Sequence, residues 1–136
     1  MDKIGEREGE YDFCGQVIGL AMKVHSALGP GFLESVYQNA LVIELRQSGI
    51  QLEQQKPITV RYGGEIVGAF TADIFVGERL IVELKAISTL AKTHEVQLVN
   101  YLTATLVDEG LLLNFGAGRL EYKKKFRLQK TEPASF

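Results

Sequence analysis

Asp73, Glu83 and Lys85 stand where apolar residues are expected. The run Leu80-Ile81-Val82-Glu83-Leu84-Lys85-Ala86-Ile87 is hydrophobic enough for an interior strand covered on both faces. Side chains alternate along a strand, so Leu80, Val82, Leu84 and Ala86 share one face, and Ile81, Glu83 and Lys85 the other. Burying an ion there costs several kcal/mol unless it is paired or bound to a metal. The preceding segment, Phe70-Thr71-Ala72-Asp73-Ile74-Phe75-Val76, repeats the pattern with one carboxylate. Two carboxylates on neighbouring strands repel each other, and a hard divalent cation removes that penalty. Such a cation polarises a phosphoryl oxygen and lowers the pKa of a bound water. Lys85, on the face of Glu83, is placed to orient that water or to offset charge in a transition state. The bland alternative, a Glu83–Lys85 ion pair on a solvated face with Asp73 near a turn, fits the spacing equally well.

The elements that must bring these residues together can be read from periodicity and turn residues. Apolar positions from Phe13 to Leu28 recur at helical spacing, and Gly29-Pro30-Gly31 stops that helix. A second helix is expected over about Phe32 to Gln47, closed by Ser48-Gly49 and covered on more than one side. Strands follow over Gln51 to Tyr62, Glu65 to Val76 and Leu80 to Ile87, the first two joined at Gly63-Gly64. A third helix, about Leu90 to Val107, turns Val96, Leu98, Val99, Leu102 and Leu106 to the core. Strands over Gly110 to Phe115 and Leu120 to Leu128 end the pattern. The fold class is α/β: a mixed β-sheet flanked by helices, in the order helix, helix, three strands, helix, two strands. One domain is expected over residues 11–128, with a polar lead-in at 1–10 and a polar tail at 129–136.

Whether Asp73 and Glu83 meet depends on the turn at Gly77-Glu78-Arg79. A two-residue loop would set Asp73 opposite Val82 and send Glu83 to the other face; a three-residue loop sets Asp73 opposite Glu83. The site therefore requires an odd-length loop or a bulge.

Bulk properties narrow the function. The 136 residues are 46% hydrophobic and 24% charged with a formal net charge of −2, which argues against non-specific coating of nucleic acid or binding to acidic membranes. The single cysteine, Cys14, excludes an internal disulfide and fits a reducing, cytoplasmic setting as a small core hydrophobe. The charged stretch Met1 to Asp12 lacks a signal-peptide core, and no apolar run is long enough to cross a membrane. No Cys/His cluster suggests zinc, and no Gly-rich loop suggests a nucleotide cofactor. His25 reads as helix surface or core edge and His94 as a cap. Lys123-Lys124-Lys125 with Arg127 is the one basic cluster, equally a lysine-blunted edge strand or a phosphate track.

The chain resembles a known family at this point. Asp73 followed by Glu83-Leu84-Lys85 is similar to the D…E-x-K core of the PD-(D/E)xK nuclease superfamily. Gly31-Phe32-Leu33-Glu34-Ser35-Val36-Tyr37 reads G-x-x-E-x-x-Y and resembles the family named for that string, as do Gln55-Lys56-Pro57 and Asn114-Phe115-Gly116. The resemblance spans about Cys14 to Arg127. It implies a restriction-endonuclease-like core with Mg²⁺ or Mn²⁺ held by Asp73, Glu83 and the backbone carbonyl of Leu84. It further implies a water served by Lys85 and a helical carboxylate, Glu34, otherwise a first-turn residue favoured by the helix dipole. Tyr37 reads as packing. Gln97 and Tyr101 match the Q-x-x-x-Y string of RecB-like nucleases, share a helical face, and would support the site or hold a substrate phosphate. Ala72 replaces the motif's proline. The implied activity is metal-dependent phosphodiester hydrolysis on nucleic acid, DNA foremost, with no membrane partner and with a homo-oligomer left open. A non-cleaving module that keeps the fold, and a small-nucleotide phosphodiesterase, are the rivals.

Overall fold

The computed structural model describes residues 12–128, so the expected lead-in and tail lie outside the described residues. The elements are α1 (Phe13–Leu28), α2 (Glu34–Gln47), β1 (Leu52–Tyr62), β2 (Glu65–Val76), β3 (Leu80–Lys85), α3 (Lys92–Thr105), β4 (Glu109–Asn114) and β5 (Glu121–Phe126). The strands form one mixed sheet in the order β1-β2-β3-β4-β5. Only β3 and β4 run parallel, and α3 is the crossover a parallel pair needs.

Alternation along β3 divides the core. Leu80, Val82 and Leu84 pack with Val17, Ala21, Leu41 and Leu45 of α1 and α2, while Ile81 packs with Leu98 and Leu102 of α3. The central strand is thus covered on both faces, and its charged residues project on the α3 side.

Several boundaries differ from the sequence reading, each for a local reason. Gly31 to Leu33 belong to the turn, so α2 begins at Glu34. Its outer side is open to solvent, with Ile43 55% exposed, so the sheet and α1 cover one side rather than several. Leu106 closes α3 in a left-handed conformation (φ 61°), and Val96 and Leu106 point outward instead of joining Leu98 and Leu102. β3 ends at Lys85, not Ile87, because the Ile87 N–H turns to the Asn114 side chain. The limits of β1, β4 and β5 move by one or two residues.

Asn114 is fully buried and ties this region together. Its Oδ1 accepts from the Ile87 N–H at 2.9 Å and the Gly116 N–H at 3.1 Å, and its Nδ2 donates to Glu121 Oε1 at 2.8 Å. Glu121 also accepts from the Leu90 N–H at 3.1 Å. Gly116 has to be glycine, because a Cβ would lie 2.3 Å from the Ile87 carbonyl oxygen. The link that leaves β3 and starts α3 is therefore clamped.

Candidate active site

The β2–β3 turn is the three-residue loop Gly77-Glu78-Arg79. Gly77 and Glu78 adopt left-handed φ of 56° and 58°, which glycine accepts without steric cost. The register pairs Val76 with Leu80, Phe75 with Ile81 and Ile74 with Val82, and the regular pairing stops there, one residue short of Asp73 and Glu83. There the side chains replace the regular ladder. Asp73 Oδ2 accepts from the Leu84 N–H at 2.8 Å, and Glu83 Oε2 accepts from the Asp73 N–H at 3.1 Å. Each carboxylate locks the other residue's strand.

β2 also changes face at this point. Ala72 and Phe75 both pack on the α3 side while Ile74 packs on the other, so the strict alternation breaks around Asp73. Across from it on β1, Gln55 takes a positive φ of 52°. From α2, Gln38 donates to the Asp73 carbonyl oxygen at 3.3 Å. Sequence reasoning did not single out Gln38; its signal was its spacing of four from Glu34, which puts both on one helical face.

Burial raises the pKa of both central carboxyls. Glu83 is pushed up to about 8, first by desolvation and then by the charge of Asp73. Asp73 is raised by desolvation, against the Leu84 N–H, the Lys85 charge and the Gln55 and Glu83 side chains. The pair thus holds a proton near neutrality. Among the described residues no cation comes within ion-pair distance of either, Lys85 included. Glu34 is exposed over much of its surface, yet partial desolvation and then the Asp73 charge raise it, with Lys85 opposing. Tyr101 stacks on Phe70 with ring centroids 3.5 Å apart. Its pKa is raised by burial and then by Glu83, and Gln97 hydrogen-bonds it. Glu34, Lys85 and Tyr101 therefore each lie close enough to the Asp73–Glu83 pair to feel its charge, while Gln97, the partner of Tyr101, is exposed.

These residues offer oxygen donors only. Leu84 directs its N–H to Asp73, and in a strand its carbonyl leaves by the same edge; Lys85 directs its carbonyl the other way, to the Phe115 N–H at 2.8 Å. Among the described residues no three His, Cys, Asp or Glu side chains gather tightly enough to hold a metal by themselves. Two carboxylates and a carbonyl suit a hard cation that keeps several waters, such as Mg²⁺, and not zinc.

Other residues singled out in the sequence have structural positions. Tyr37 is fully buried; its hydroxyl donates to the Gly29 carbonyl and accepts from the Phe32 N–H at 3.1 Å, stapling the turn that delivers Glu34. Tyr37→Phe leaves both groups without that partner and is expected to cost about 1–3 kcal/mol. Urea melts check this, and an unchanged midpoint would mean that the turn holds itself. His94 accepts from the Ala91 N–H at 3.1 Å at the start of α3. His25 is buried, its Nε2 donating to the Ala117 carbonyl at 3.0 Å. The basic cluster lies on edge strand β5, where Lys125 pairs with Glu95 at 3.0 Å; just beyond, Arg127 pairs with Asp108 at 2.7 Å. Half of its charge is thus already neutralised.

A family model described as the PD-(D/E)XK nuclease superfamily matches residues 11–126. Divalent metals are typical of that superfamily. Among solved structures, the crystal structure of SSO0001 is similar, with a TM-score of 0.55 and 16% sequence identity over 71% of this chain and 52% of that one. The chain thus spans about half the length of that protein, and the likeness concerns the fold, which is restriction-endonuclease-like. No curated protein matches the chain.

Proposed function

We propose, because this chain belongs to the PD-(D/E)XK nuclease superfamily, that it hydrolyses phosphodiester bonds of nucleic acid with Mg²⁺ or Mn²⁺ at Asp73, Glu83 and the Leu84 carbonyl. One observation carries this reading: two partly buried carboxyls, both raised, lie side by side, and among the described residues no cation is in ion-pair contact with them. When bound, the ion neutralises them, polarises a phosphoryl oxygen and acidifies a water. Lys85 holds that water or offsets charge gathering on the phosphate. Glu34, with its raised pKa, is suited to take the proton the water loses. Tyr101, with Gln97 hydrogen-bonded to it, offers a donor to a neighbouring phosphate oxygen. Within the superfamily, Gly31, Glu34 and Tyr37 support membership of the GxxExxY family, in which the tyrosine would hold the turn and the glutamate would serve the site. A reducing, cytoplasmic setting suits the buried Cys14 thiol. Among the described residues no helix is long and apolar enough to cross a membrane.

The half-neutralised basic cluster favours a second reading, a phosphodiesterase of small nucleotides or a module that binds without cutting. Cleavage assays on single-stranded, duplex and branched DNA, RNA and dinucleotides, with and without Mn²⁺, separate the readings. Metal-dependent cutting of a polynucleotide is expected. Cutting of dinucleotides alone, or of nothing, would overturn the proposal in favour of one rival or the other.

A further inference from the structure

A groove of about 680 Å³ opens between the end of α1 and the turn from β4 to β5. Met22, Pro30, Leu120 and Tyr122 give it apolar and aromatic walls, Arg119 stands at its edge, and no carboxylate lines it. Arg119 is exposed and forms no ion pair among the described residues; Tyr122 is 42% exposed and Met22 45%.

The groove lies at the same end of the sheet as the candidate site, on the α1 and α2 face from which Glu34 approaches that site, whereas Glu83 and Lys85 project on the α3 face. β3 and β4 run parallel and finish together, Lys85 opposite Asn114. Gly116 then packs on the backbone of Ala86 and Ile87, and the chain passes directly into Gly118, Arg119 and Leu120 of the groove wall. The opposite wall, Gly29-Pro30, leads into Glu34 through the turn that Tyr37 staples. His25 bonded to Ala117 ties the two walls together, so the groove is preformed.

We propose that this groove is a subsite for single-stranded nucleic acid, seating unpaired nucleotides that flank the scissile phosphate. A base would lie against Tyr122 and Leu120, with its phosphate on Arg119. The identity of the ligand rests on the nuclease reading; the choice of strand over duplex rests on the groove itself. Duplex presents phosphates and groove edges, for which apolar walls and one arginine are a poor match. An unpaired strand exposes base faces that stack on aromatic side chains.

The test is fluorescence anisotropy of a labelled single-stranded oligo(dT), and of a duplex of equal length, in chelator so that cleavage plays no part. Arg119→Glu and Tyr122→Ala are each expected to weaken strand binding about tenfold. Arg46→Ala, at the far end of α2, is expected to bind as wild type does. Should Arg119→Glu melt below wild type, Arg119→Gln carries the same test. Wild-type affinity in both groove variants would overturn the subsite while leaving the cleavage assays to judge the nuclease reading. Equal losses on strand and duplex would overturn the single-strand assignment, and no strand binding by wild type would overturn the proposal outright.

Discussion

In chelator at about pH 8, Glu83→Gln is expected to melt well above wild type, and at about pH 5 the two proteins are expected nearly to coincide. Folding raises Glu83 from its ordinary 4.5 to about 8, so the fold favours the protonated form. Its stabilising contribution is complete below the unfolded value and is lost as pH rises through the folded one. Glutamine keeps the neutral shape at every pH. Each pKa unit corresponds to about 1.4 kcal/mol, and with the coupling to Asp73 a difference of about 2–3 kcal/mol by pH 8 is expected. That is several degrees for a domain of this size. Melts that run parallel across this range would mean that Glu83 is solvated, as in a surface ion pair with Lys85.

Asp73→Asn is expected to lower cleavage by about a thousandfold or more while leaving the fold intact. The substitution keeps the shape and the acceptor for the Leu84 N–H, yet removes one of the two charges that a divalent ion would neutralise. In chelator it is expected to melt at or above wild type, because it removes like-charge repulsion. Lys85→Ala is expected to cost about a hundredfold or more through loss of charge on the transition state. Initial rates on whichever polynucleotide the wild type cuts provide the check. An Asp73→Asn protein as fast as wild type would remove that residue from the chemistry.

Much of the fold was legible because strand periodicity and turn residues act locally. The face pattern of Leu80 to Lys85 and the Gly63-Gly64 hairpin follow from a period of two and from left-handed glycine. The length of the loop at Gly77 was itself a requirement of the site and not a local pattern, and regular pairing stops at Ile74–Val82, one residue short of Asp73. Contacts between distant elements were not legible in the same way. Ile43 and Val96 are as apolar as their buried neighbours, and only the placement of the sheet decides which face is covered. Gln38 reaches Asp73 across 35 residues, with only its spacing of four from Glu34 as a signal, and Asn114 clamps Ile87 across 27 with none. The change of face between Ala72 and Phe75 involves Gln55 at positive φ, where no glycine announces it. Tyr37 read as packing because a hydroxyl's partners cannot be seen in spacing; in place, it holds the turn before Glu34.

Calorimetric titration of Mn²⁺ into the wild-type protein and Asp73→Asn near neutral pH, in buffers of different ionisation heat, tests the metal site most directly. Wild type is expected to bind ions saturably at one site and to release a proton, so that the heat depends on the buffer, because Glu83 must give up its proton to become a ligand. By mass action, ion at a hundred times Kd then stabilises wild type by about 2.7 kcal/mol, and Asp73→Asn far less. No saturable binding by wild type, or equal binding by Asp73→Asn, would contradict the account.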